Sequence, residues 1–126
     1  MQTIVLIMRR KPVAQAFIKG LMENFAGPII HEADYSLASF VVLENNASAA
    51  LIEIGETSGY DAAHCISLCE LLRNSAPSCK LFLMCPEQNE SGVLEVVRAK
   101  KDGKIDDFVF YDTTLDYTIS KLLSML

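Results

Sequence analysis

The sequence predicts an α/β fold in three layers, with five βα units wound around one parallel sheet and helices on both of its faces. Three observations predict it. Apolar runs of four to six residues recur along the 126 residues, each bounded by charge, glycine or proline, as expected of strands covered on both faces. Between these runs, apolar residues return at helical spacing. The two patterns alternate strictly, and right-handed crossovers then put helices on both sides of the sheet.

The first strand is Thr3 to Met8, a continuous apolar run that belongs at the centre of a sheet. Pro12 suits the first turn of the helix that follows. Ala14, Phe17, Ile18, Leu21 and Phe25 form its stripe until Gly27-Pro28 breaks the pattern. Pro28 to His31 reads as a short second strand. Ser36 to Glu44 reads as a helix with Leu37, Phe40 and Val41 inward, stopped by Asn45-Asn46. Ala49 to Ile54 is the third strand and Gly55 to Gly59 a loop. Asp61 caps the next helix, whose stripe is Cys65, Leu68, Cys69 and Leu72, and Ser75-Ala-Pro77 ends it. Leu81 to Cys85 is the fourth strand, followed by a polar loop from Pro86 to Glu90. Val93, Val96 and Val97 mark a short helix, and Lys100 to Gly103 turns the chain into a fifth strand at Phe108 to Tyr111. Thr113 and Asp116 stand at capping-box spacing ahead of Leu115, Ile119, Leu122 and Leu123.

Composition fits one domain spanning residues 1–126. With 51% hydrophobic residues the chain is long enough for one core and too short for two. No apolar run approaches the roughly twenty residues of a membrane span. No apolar N-terminal stretch with a cleavage site is present, so a cytoplasmic location is expected. The four cysteines read as reduced core residues, because the domain has enough apolar surface to stand without disulfides. Cys65 and Cys69 lie one helical turn apart, yet no Cys-x-x-Cys or His-x-x-x-His spacing completes a metal site. The net charge of −5 argues against direct nucleic-acid contact, which calls for a basic footprint.

In an open sheet of this kind, functional groups gather at the carboxyl ends of the strands. Those ends are Met8-Arg9-Arg10, Glu53 to Glu56, Cys85-Pro86 and Tyr111-Asp112. No catalytic residue is assigned. His31 and His64 match no nucleophile elbow or Cys-His arrangement, and Cys85 is a reactive-thiol candidate only if its strand end is open.

The stretch Ile105-Asp-Asp-Phe-Val-Phe-Tyr111 resembles the Ala-Asp-Asp-Tyr-hydrophobic-hydrophobic-Lys run around the fifth strand of response regulator receiver (CheY-like) domains. Ala50-Leu-Ile-Glu-Ile54 resembles the strand that carries their phospho-accepting Asp. The resemblance covers nearly the whole chain and rests on the order and spacing of these motifs. It implies the flavodoxin-like strand order 2-1-3-4-5, puts Glu53 at the phospho-acceptor position and Phe108 at the switch aromatic, and points to bacterial two-component signalling.

The departures from that pattern matter most for function. The acidic pair that holds Mg²⁺ in receivers is replaced by Met8, Arg9 and Arg10, and guanidinium groups repel a divalent cation that needs oxygen ligands. The Thr or Ser position falls at Cys85, the Lys position at Tyr111 and the Pro after it at Asp112. The loop and helix after Glu53 read as about one turn longer than in receivers. No cofactor is expected, Mg²⁺ included. The resulting expectation is an atypical pseudo-receiver that works by protein contact or homodimerisation. The contacting face in the resembling family is the fourth helix, fifth strand and fifth helix, here Val93 to Lys101, Phe108 to Tyr111 and Leu115 to Leu126. Any DNA target in transcription regulation would be read by a separate effector domain. Two alternatives stay open, a phosphorylation-dependent receiver with an unusual site and a flavodoxin-like domain that binds a small molecule or anion. Within the altered site, Glu53 either pairs with Arg9 or Arg10, or those arginines and Lys11 offer an anion site at the helix N-terminus.

Overall fold

The computed structural model describes residues 2–57 and 59–126. Its elements run β1 (Ile4–Ile7), α1 (Lys11–Met22), β2 (Ile29–Glu32), a 3₁₀ turn (Tyr35–Leu37), α2 (Ala38–Glu44), β3 (Ala49–Glu53), α3 (Ala62–Ser75), β4 (Lys80–Cys85), α4 (Glu90–Lys101), β5 (Asp107–Phe110) and α5 (Leu115–Ser124). All five strands are parallel, in the order β2-β1-β3-β4-β5. The expected (βα)5 architecture and strand order are therefore those observed. Ser58, within the loop expected over Gly55 to Gly59, lies outside the described residues.

Alternation along each strand divides the core in two. Val5, Ile7, Ala50, Ile52, Leu81 and Leu83 face α2, α3 and α4. Ile4, Leu6, Leu51, Phe82 and Met84 face α1 and α5. Because side chains in a strand point to opposite faces in turn, a strand read as wholly apolar has to be sandwiched, and every residue of β1 is buried. No helix among the described residues is long and apolar enough to cross a membrane.

Several local expectations are corrected. Leu37 and Phe40 point outward, Phe40 with 64% of its surface exposed, while Ala38, Val41 and Val42 are buried. Of the three residues expected inward, only Val41 is. The Asp34 carboxylate caps a 3₁₀ turn by accepting the Ser36 N–H, so α2 starts only at Ala38 and the 38/41/42 stripe faces the sheet. The stop at Asn46 holds, with Asn46 in the left-handed region at φ 47°, a conformation asparagine tolerates better than most residues.

In α4, Asn89 caps the helix and the buried stripe is Gly92, Val96 and Ala99, so the helix is longer than the valines suggested and Val97 lies off the stripe, exposed. The cap of α5 is Thr114, whose hydroxyl accepts the Tyr117 N–H at 3.2 Å. The Thr113–Asp116 capping box is thus not formed. Thr113 stays in the preceding turn, where its N–H donates to the Phe110 carbonyl.

Candidate functional site

Strands β1 and β3 are neighbours, with Ile7 paired to Ile52. The next residues along each strand therefore emerge side by side, and Glu53 meets the chain entering α1. Glu53 is only 2% exposed. Its Oε1 accepts the Arg9 N–H at 2.9 Å and the Arg10 N–H at 3.4 Å, and its Oε2 accepts Arg10 Nε at 2.9 Å. A buried carboxylate is costly unless its oxygens are bonded and its charge matched. Here two backbone donors beside a helix N-terminus and one guanidinium supply both. Arg10 is the N-cap residue of α1 and its own side chain forms no cap.

Two tyrosines and the other arginine complete the surroundings. The Tyr35 hydroxyl donates to the Glu53 backbone carbonyl, and the Tyr111 hydroxyl to the Ile54 carbonyl at 3.4 Å. Burial first, and with it the Glu53 charge, pushes the Tyr35 hydroxyl far above its ordinary value. Burial and the Glu53 carboxylate do the same at Tyr111. Both phenols therefore stay protonated donors. The Arg9 guanidinium turns away from Glu53, lies 4.2 Å over the Tyr60 ring and donates to Thr57 Oγ1 at 3.2 Å. Tyr60 is held edge-on by Tyr35 at 4.9 Å. Arg10 lies 4.6 Å over the Tyr111 ring. Cation–π stacking of this kind fixes where a guanidinium sits as well as adding attraction.

Arg9, Arg10, Glu53, Thr57, Gln88 and Tyr111 line an open cleft of about 470 Å³. The structure thus brings together four sequence candidates, Arg9, Arg10, Glu53 and Tyr111. Others are elsewhere. Met8 is fully buried in the α1–α5 half of the core. Phe108 is half-buried beside β4 and stacks edge-on with Phe110 at 5.6 Å. Cys85 is fully buried, its thiol pushed up to about 11 by burial. The open strand end that a reactive Cys85 requires is not there. Cys65, Cys69 and Cys79 are also buried and free. His64 is exposed against Asp61, and His31 Nε2 bonds the Met8 carbonyl at 2.8 Å.

Tyr35, Tyr60 and Thr57 were not singled out from sequence. Nothing in their local pattern distinguishes them, because each reaches the site from a loop through the fold. For a divalent cation the donor set is poor: both Glu53 oxygens already accept hydrogen bonds from this chain, Arg9 and Arg10 offer no lone pairs, and Glu56 is the other carboxylate lining the cleft. Among the described residues, no three His, Cys, Asp or Glu side chains are grouped to hold a metal.

A second buried carboxylate lies on the edge strand, paired with Phe82 in the middle of β4. Asp107 opens β5, is 8% exposed, and bonds Lys100 of α4 at 3.0 Å and Lys121 of α5 at 3.1 Å. Burial alone would raise its pKa. The Lys100 ammonium, the Phe108 N–H and Lys121 outweigh it and hold the carboxyl below its ordinary value.

No family model and no curated protein matches the chain, whereas solved structures do. The receiver domain of a two-component response regulator from Bacteroides fragilis is 20% identical, with 98% of this chain and 95% of that one covered at a TM-score of 0.78. A CheY-like protein (tadZ) from Pseudomonas aeruginosa is 16% identical over the whole of both chains at 0.75. An adenylate cyclase from Rhodopirellula baltica is 10% identical, with 98% of this chain and 85% of that one covered at 0.80. The chain therefore has the receiver (CheY-like) fold. Identity this low carries the architecture and not an activity.

Proposed function

We propose that this chain is the receiver-like module of an atypical response regulator, acting in cytoplasmic signal transduction through protein contacts and without Mg-dependent phosphorylation or other enzymatic chemistry. One observation carries the reading. The Glu53 carboxylate, which the resemblance puts at the phospho-acceptor position, is already engaged by three of the chain's own donors, Arg9 N–H, Arg10 N–H and Arg10 Nε. Phosphoryl transfer relies on cations placed to neutralise developing charge. Here the cation is a side chain, and it is spent on the acceptor. The pair holds the top of β3 against the entrance of α1 in one arrangement, which makes the module a constitutive signalling surface.

The contact face in this reading is α4-β5-α5, serving homodimerisation or a partner protein. Leu94 and Val97 on α4 and Tyr117 on α5 are exposed there, and Asp107 clips the two helices to β5. DNA, where transcription is the output, is reached through an effector domain, since the net charge of −5 disfavours a direct contact.

Beryllofluoride with Mg²⁺ tests the proposal, read by the amide resonances of Arg9 and Arg10. They are expected not to shift. A saturable, Mg-dependent shift, or a phosphoryl adduct mapped to Glu53 after acetyl phosphate, would restore the phosphorylation-dependent alternative. The anion-binding alternative draws on the open cleft and its two arginines. Calorimetric heat with ATP or inorganic phosphate, lost in Arg9→Gln, would favour it.

A further inference from the structure

A second cleft, of about 410 Å³, shares Arg10 and Tyr111 with the first but opens between α1 and α5. Its floor is Phe17, Met84 and Thr118, all buried, and its walls include Val13, Phe110 and Leu115. Two small residues shape it. A side chain at Gly20 would collide with Ile119, so glycine lets α1 and α5 touch there. One turn nearer the helix start, Ala16 leaves the space between them unfilled. The volume falls in the range of small-molecule sites, which are mostly apolar with a few placed polar groups.

Those polar groups define the occupant. Arg10 uses Nε on Glu53, its guanidinium lies against Tyr111, and its side chain is 56% exposed. Thr118, 4% exposed, places a hydroxyl-bearing side chain in the lining of the same cleft. No Asp or Glu lines the cleft itself, and Glu53 holds only the Nε edge of the Arg10 guanidinium, so an anion entering the cleft meets the other edge of that fork.

We propose that this groove binds a small carboxylic acid with an apolar or aromatic body, the carboxylate on the Arg10 terminal nitrogens and the body over Phe17, Met84 and Leu115. Arg10 then touches Glu53 on one side and the ligand on the other. Occupancy of the groove biases the Arg10–Glu53 pair, and the coupling is reciprocal.

Methyl-resolved NMR of the full chain, titrated with octanoate and with its uncharged twin octanamide, tests the site. Saturable shifts are expected at the methyls of Val13, Met84, Leu115 and Thr118, with the amide weaker by about tenfold. Arg10→Gln should bring octanoate down to the amide's affinity. Ala16→Trp, at an exposed helix position, should abolish both while leaving methyls of the α2–α4 half of the core unshifted. Equal affinity for acid and amide, or undiminished binding to Ala16→Trp, would overturn the proposal. So would groove methyls that broaden with protein concentration in the absence of ligand, since a second copy of the chain would then fill the groove.

Discussion

The two buried carboxylates of this sheet solve one physical problem in different ways. Glu53 ends the central strand β3, and three of its hydrogen bonds come from two consecutive residues, two of them from backbone. Asp107 opens the edge strand β5, and its charge is met by two lysines on long stems from different helices. Backbone donors cannot swing away, whereas ammonium groups can exchange a carboxylate for water at little loss. The first arrangement is a fixed clamp. The second is a releasable clip, and it lies on the face that the proposed function assigns to partners.

The largest expected effect breaks the clamp. Glu53→Ala orphans two backbone donors at a buried site and should destabilise the fold by about 3 kcal/mol, measured by urea unfolding. A loss below about 1 kcal/mol would mean the loop finds other partners and the clamp is not fixed. Asp107→Asn should cost less, about 1–2 kcal/mol, because both lysines can turn to solvent. Its pH dependence sharpens the contrast. The folded carboxyl binds its proton less readily than in the unfolded chain, so this stabilisation is present above about pH 4 and fades as pH falls through the folded pKa. Wild type and Asp107→Asn should therefore differ at pH 7 and converge at acid pH. A constant gap would show that charge is not the cause.

Arg10→Gln comes next. It leaves both backbone bonds to Glu53 in place and removes a guanidinium that is more than half exposed, so the loss should stay under about 1 kcal/mol. A larger loss in thermal unfolding would move the clamp's strength from backbone to side chain. Smallest is the coupling between Lys100→Met and Lys121→Met in a double-mutant cycle, expected at a few tenths of a kcal/mol. Coupling above about 1 kcal/mol would make the Asp107 clip a rigid network like the Glu53 site.

Much of the fold was legible from residue order. Five apolar runs separated by helical stripes gave the layers, and Asp61 and Asn46 marked helix ends that the structure keeps. In the second helix Val41 is buried as expected, but Leu37 and Phe40 are not, since which residues face inward depends on where the 3₁₀ turn hands over to α2. The cap at Thr114 rather than Thr113 is a one-residue slip of the same kind. Of the candidate site, the strand ends gave Glu53, Arg9, Arg10 and Tyr111. The division of labour between the two arginines was not readable, because it rests on Tyr60 and Tyr111, which arrive from distant loops.

The sequence by itself determined the parallel sheet, its two-sided core and the presence of two arginines just after the first strand, because periodicity and residue chemistry are local properties. Only the tertiary structure decided that Arg10 takes the carboxylate while Arg9 stacks on Tyr60, that Cys85 is sealed, and that Asp107 ties α4 to α5. Each of these depends on which side chains meet across dozens of intervening residues, and burial and hydrogen-bond geometry become defined only once the strands and helices are packed.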